Sequence, residues 1–149
     1  MAYISTSEVK RIREALKVAF PEFKFGVRKV HGGLSVGVTI VSGPLDLSPD
    51  FTHGDGYAQI NQYHLDKYEY GAFYQAIDMI IRRAPVREYY NRSEPMIDYF
   101  DVAFYYDIHI GNWNKPYEVK FPRKGKGIYH IPDFNAEAQS ALAVIELAA

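Results

Sequence analysis

Apolar residues recur at helical spacing near the start of the chain and then switch to strict alternation. Val9, Ile12, Leu16 and Ala19 share one helical face, and Phe20-Pro21 ends the run. Ser5-Thr6-Ser7-Glu8 ahead of them has the form of a capping box, in which the serine hydroxyl and the glutamate carboxylate satisfy amides at a helix start. The pattern predicts a helix over Ser7–Phe20. Next, Phe23, Phe25 and Val27 alternate with Lys24, Gly26 and Arg28, and Leu34, Val36, Val38 and Ile40 alternate with small or polar residues. Between them His31-Gly32-Gly33 supplies a tight connection, since glycine reaches positive φ without a Cβ clash. A hairpin of strands Phe23–Val30 and Leu34–Val41 is expected.

Ser42-Gly43-Pro44, Ser48-Pro49 and His53-Gly54-Asp55-Gly56 mark a connection, and a polar third strand is expected over Tyr57–Leu65. A second helix, Ala72–Arg83, buries Phe73, Ala76, Ile77, Ile80 and Ile81 and ends at Pro85. Glu94 to Phe100 carries a weaker helical pattern. Phe104–Gly111 is the clearest late strand, with Phe104, Tyr106, Ile108 and Ile110 on one face and Tyr105, Asp107 and His109 on the other. After a turn, Tyr117–Phe121 is expected to pair back as a hairpin. Asp133 caps a last helix, Asp133–Leu147, packed through Ala138, Ala141, Leu142, Ile145 and Leu147. The expected architecture is one α+β domain in the order α-β-β-β-α-β-(β)-α, a mainly antiparallel sheet with helices on one face. Its core would include Ile12, Leu16, Phe25, Val27, Val36, Val38, Ile40, Ile77, Ile80, Ile108 and Ile110.

Composition narrows the function classes. At 149 residues and 48% hydrophobic, the chain can bury a core without staples. A net charge of −1 argues against nucleic-acid binding by overall charge and leaves only a local patch for that role. The absence of cysteine removes disulfides, thiolate metal sites and thiol catalysis. Met1-Ala2-Tyr3-Ile4 runs straight into the capped helix, and no apolar run is long enough to span a bilayer. A soluble protein of the host-cell cytoplasm, with no membrane partner, is expected. Tyrosine is the compositional outlier at 13 residues, suited to sheet margins, interfaces and stacking platforms alike.

The run Tyr3-Ile4-Ser5-Thr6 through Ile12-Arg13-Glu14-Ala15-Leu16-Lys17, with Ala19-Phe20-Pro21, Lys24-Phe25 and Val27-Arg28, resembles a domain of phage and mobile-element proteins. It is similar to the twenty-ninth of the large polyvalent protein associated domains, mainly over residues 3–45. The resemblance implies a protein carried by phages, prophages or plasmids that accompanies incoming DNA and blunts host defences. It implies no catalytic residues. The helix, three strands, helix order also matches double-stranded RNA-binding domains, yet Gly71-Ala72-Phe73-Tyr74-Gln75 lacks the basic helix start that duplex recognition needs.

Candidate chemistry is sparse. Asp107, His109 and His64 are the best cluster for a metal-dependent or divergent hydrolase or nuclease, but their spacing does not force convergence. His53 with Asp55, and the carboxylate pairs Asp98 with Asp101 and Asp46 with Asp50, read more simply as turns and caps. No Gly-x-Ser-x-Gly elbow, P-loop or dinucleotide fingerprint occurs. No catalytic residue, metal ligand or cofactor is therefore assigned. The one local patch is Trp113 to Tyr129, where Lys115, Lys120, Arg123, Lys124 and Lys126 interleave with Trp113, Tyr117, Phe121 and Tyr129. A solvated loop is the commoner fate of such a run. Cations beside aromatic faces can also hold a nucleic acid or an acidic protein surface. Binding is accordingly expected at Trp113, Lys120, Arg123, Lys124 and Lys126, with a host or phage protein or a nucleic acid as partner.

Overall fold

In the computed structural model, which describes residues 2–51, 56–86, 89–91, 102–112, 114–120 and 131–148, the capping box forms as its spacing requires. The Glu8 amide donates to Ser5 Oγ at 3.1 Å and the Ser5 amide to Glu8 Oε1 at 2.9 Å. Helix α1 follows over Thr6–Ala19. Strands β1 (Lys24–Val30) and β2 (Ser35–Gly43) then pair antiparallel. The turn between them, His31–Gly33, holds Gly32 and Gly33 at φ of 66° and 97°, a region costly for any residue with a Cβ.

Strand β3 (Ala58–Ile60), helix α2 (Gly71–Arg83), strands β4 (Tyr105–Ile110) and β5 (Glu118–Val119), and helix α3 (Phe134–Ala148) complete the α+β order. The sheet is mixed. Its strands run β1-β2-β4-β3, with β2–β4 parallel and β3–β4 antiparallel. Strand β5 does not pair back on β4 as expected; it lies parallel to the end of β2, Ser42 opposite Glu118 and Gly43 opposite Val119. That placement extends β2 past the point where β4 leaves it. The third strand is also shorter than its pattern suggested, because the chain turns after Ile60 through an Asn61 side-chain bond to the Tyr63 amide at 3.0 Å.

The three helices cover one face of the sheet. Val36, Val38 and Ile40 of β2 and Ile108 and Ile110 of β4 are fully buried beneath them, with Ile12 and Leu16 of α1, Ile77 and Ile80 of α2, and Leu142 of α3. Burying a side chain of this size contributes about 1.5–3 kcal/mol each. Phe20, Phe23, Phe73 and Phe134 close one end, with Phe73 at 4.6 Å from Phe23 and 5.0 Å from Phe134 between ring centres. Two residues sit less deep than their alternation implied. Phe25 is half-buried beside this cluster, where a register shift interrupts β1 next to Lys24, and Leu34 is 44% exposed in the turn before β2 begins. The weak helical pattern of Glu94 to Phe100 lies outside the described residues.

One buried carboxylate ties helix α2 down. Asp50, at the end of the short helical turn Ser48–Asp50, accepts from the Glu69 amide (2.7 Å), the Tyr70 amide (3.1 Å) and the Tyr74 hydroxyl (2.8 Å). It thereby caps α2 from a distance, since Tyr70 offers no side-chain cap of its own. Burial, reinforced by this bond to Asp50, holds the Tyr74 phenol protonated far above its ordinary range. Asp46, its neighbour in sequence, instead caps a turn by accepting from the Ser48 amide at 3.0 Å.

Candidate functional site

The other face of the sheet carries polar side chains and glycines. Alternation along β2 and β4 sends Gly37, Thr39, Asp107 and His109 away from the helices, and pairing aligns them in two rows. One row runs Gly26, Thr39, His109, Gln59; the other runs Arg28, Gly37, Asp107. Two of these positions are glycine, so the face is hollow there. The result is a groove of about 540 Å³ with Gly26 and Gly37 in its floor and Lys24, Arg28 and Lys115 among its walls.

Asp107 lies low in this groove. Its Oδ1 is 3.2 Å from where a Cβ on Gly37 would stand, and 3.2 Å from His109 Nε2. The carboxylate and imidazole are each partly exposed, so their attraction is screened and the pair can rearrange around a ligand. Lys24, Arg28 and Lys115 are exposed, and none has a carboxylate within ion-pair distance among the described residues. Three cations around the groove outweigh the single Asp107 carboxylate within it, so it attracts anions.

A contrasting cluster occupies the helix side of β4. The Tyr106 hydroxyl donates to Asp78 Oδ1 and accepts from Arg82 Nε at 2.8 Å, while Arg82 pairs with Asp78 at 3.2 Å and stacks 4.8 Å over Tyr89. Burial raises the Asp78 carboxyl above its ordinary value, partly offset by the Tyr106 bond and the Arg82 charge. Burial also holds the Tyr106 phenol protonated well above its ordinary range, with the Asp78 charge adding to the effect. Every partner here is satisfied within the protein, which marks the cluster as a structural tie.

The residues singled out from sequence fall unevenly. Lys120 is exposed; its amide donates to Gly43 O at 2.7 Å, and its ammonium lies 3.5 Å from Glu118. Lys115 stands at the groove rim. Trp113, Arg123, Lys124 and Lys126 lie outside the described residues, as do His53, Asp55, Asp98 and Asp101. Asp107 and His109 do meet. His64 does not join them: it follows the turn after β3, exposed, and no trio of metal-ligating side chains forms among the described residues. Lys24 and Arg28 were missed because charges alternating along a hairpin read as a solvated strand face. The usable signal was the glycine at Gly26 and Gly37, which leaves room between those charges.

Comparison with known proteins supplies context. The family model for large polyvalent protein associated domain 29 matches residues 4–93, and the chain belongs to that family. The match associates it with phage and mobile-element proteins. The matched stretch holds α1, β1, β2, β3 and α2, and stops short of Asp107, His109 and Lys115. No curated protein and no solved structure matches the chain. Among the described residues, no helix is long and apolar enough to cross a membrane.

Proposed function

We propose that this member of the large polyvalent protein associated domain 29 family acts by binding an anionic macromolecular partner, as an accessory factor of a phage or mobile element. The open sheet face is the contact surface, with Lys115 at its rim, and Lys120, Arg123, Lys124 and Lys126 follow in the sequence as a second set of cations. The observation that carries this reading is the glycine-floored groove with the unpaired Lys24, Arg28 and Lys115 around it. Arginine can grip phosphate or carboxylate in two places at once, while the lysines act as mobile point charges. In its setting the binding serves counter-defence: occupying a host nucleic acid or an acidic host protein would shield incoming DNA.

The test is the variant Lys24→Ala/Arg28→Ala/Lys115→Ala against a panel of DNA, RNA and acidic peptides over a range of salt. For a duplex target, loss of three phosphate contacts lowers the slope of log affinity against log salt by about 2.7. A variant that folds normally and binds as wild type at every salt concentration overturns the groove as the contact surface. The companion variant Arg123→Ala/Lys124→Ala/Lys126→Ala measures the contribution of the basic run. In a host carrying active defences, deleting the gene should lower phage or plasmid establishment, and the groove variant should reproduce that loss.

A second reading rests on the 3.2 Å contact between Asp107 and His109. A carboxylate that orients an imidazole is half of a general-base device, so a divergent hydrolase or nuclease is the alternative. Turnover of a phosphodiester or ester panel that disappears in both His109→Ala and Asp107→Ala would establish it.

A further inference from the structure

Asp107 also borders a second groove, of about 590 Å³, whose walls are of a different kind. Tyr105 of β4 and Tyr63 beyond β3 are 45% and 72% exposed there, beside the amides of Gln59, Asn61 and Gln62. Neither ring stacks on another aromatic ring among the described residues, although Tyr89 next to them packs on both Phe104 and Tyr106. Two large rings are thus presented to solvent on a sheet face that also carries unpaired cations.

We propose that this second groove holds the unpaired bases of a single-stranded nucleic acid whose phosphates run along Lys24, Arg28 and Lys115. The proposal rests on the anionic-partner reading and names the class of partner. Cations alone would suit any polyanion. Cations next to exposed tyrosine faces match a strand that alternates phosphate with a flat aromatic group. An acidic protein surface would satisfy the charge but leave Tyr63 and Tyr105 without use. A duplex keeps its base faces stacked inside, so it offers nothing for those rings to cover.

Asp107 sorts the two halves of the ligand. It lines both grooves, repels phosphate, and as a carboxylate accepts hydrogen bonds but cannot donate one, so on a base edge it pairs with an N–H group. The exocyclic amine of cytosine is such a donor, whereas thymine presents carbonyl oxygen at the same place. Oligo-dC should therefore bind more tightly than oligo-dT.

The experiment is fluorescence anisotropy with labelled short oligo-dC, oligo-dT, a mixed-sequence duplex and an oligoglutamate peptide. Wild type is compared with Tyr63→Ala/Tyr105→Ala, Tyr63→Phe/Tyr105→Phe and Asp107→Asn, each checked for an unchanged melting curve. Single strands should outcompete the duplex. The double alanine variant should lose about tenfold or more, as expected when stacked bases lose their ring. The double phenylalanine variant should bind as wild type, and Asp107→Asn should bring oligo-dC and oligo-dT toward equal affinity. A double alanine variant with intact affinity, or a duplex that binds as well as a single strand, overturns the base groove. If only oligoglutamate binds, this proposal falls while the anionic-partner reading stands. If wild type binds none of the four, both fall.

Discussion

Strand β4 carries two regions back to back, and they treat polar groups in opposite ways. Toward the helices, Ile108 and Ile110 are fully buried, and the one hydroxyl, that of Tyr106, is held between Asp78 and Arg82. Away from the helices, Asp107 and His109 meet at 3.2 Å with both side chains partly in water, next to an exposed Tyr105. The difference teaches how to tell a polar group tied into the fold from one left open to a ligand. Inside, an unmet polar group costs about 1–3 kcal/mol, and around Tyr106 the fold supplies each partner. Outside, water covers that cost, and groups remain available to a ligand. The same rule separates Asp50, with three donors, from the Asp107 carboxylate, with one imidazole.

The largest expected effect is on the packed side. Ile108→Ala should cost about 3 kcal/mol in chemical denaturation, by lost burial and a residual cavity. His109→Ala, one residue along and facing outward, should stay within about 0.5 kcal/mol. Comparable losses for both would erase the distinction between the faces. Asp50→Ala follows, at about 2–3 kcal/mol, because it orphans two amides at the start of α2 and the buried Tyr74 hydroxyl. Hydrogen exchange should then show the first turn of α2 opening ahead of the rest. Next comes Gly43→Ala, about 2 kcal/mol, since its Cβ would collide with the ring of Phe23 in the aromatic cluster.

How much of this was legible follows from how local each signal is. The hairpin register was readable because one face of β1 and β2 is buried, and a slip of one residue would expose Val36, Val38 and Ile40 together. The helices were readable from their caps, Ser5 and Asp133, and from periodicity. The insertion of β4 between β2 and β3 was not, because a parallel partner is chosen across a long crossover with no turn to announce it. Asp50 was read as a turn residue, since its role depends on chain that returns 19 and 20 positions later. The site divides likewise. Alternation put Asp107 and His109 on one outward face, but only the pairing of three strands brings Lys24, Arg28 and the glycine floor to meet them. The topology also bears on the family match, which ends before β4. Among the described residues β3 pairs with β4 alone, so the later chain is what joins the matched strands into one sheet.

A change in pH sharpens the comparison with a smaller effect of distinct sign. Burial raises the folded-state pKa of Asp78 above the ordinary 3.8, so the folded protein keeps a proton that the unfolded chain has released. Stability from this group is complete below 3.8 and is lost as pH rises through the raised folded value. Wild type minus Asp78→Asn stability should therefore decline with pH across that window. A difference that rises instead would mean that the Tyr106 bond and the Arg82 charge outweigh burial.

The smallest expected effect is the most pointed, because it repeats one substitution on the open side. Gly37→Ala places a Cβ 3.2 Å from Asp107 Oδ1, tighter than an ordinary contact but against the end of a partly exposed side chain. Asp107 can swing by a few tenths of an ångström into solvent, which Phe23 beside Gly43 cannot do. An alanine in a strand interior is also favoured over glycine by roughly 0.5–1 kcal/mol. The net result should be a melting temperature unchanged or slightly raised, in contrast to the loss at Gly43. Binding should respond in the other direction, since the new methyl fills the groove floor and pushes Asp107 from its place. A Gly37→Ala protein that is clearly destabilised would show that the open face is packed as rigidly as the helix side. One that is stable yet binds every ligand as wild type does would remove the groove floor from the contact surface.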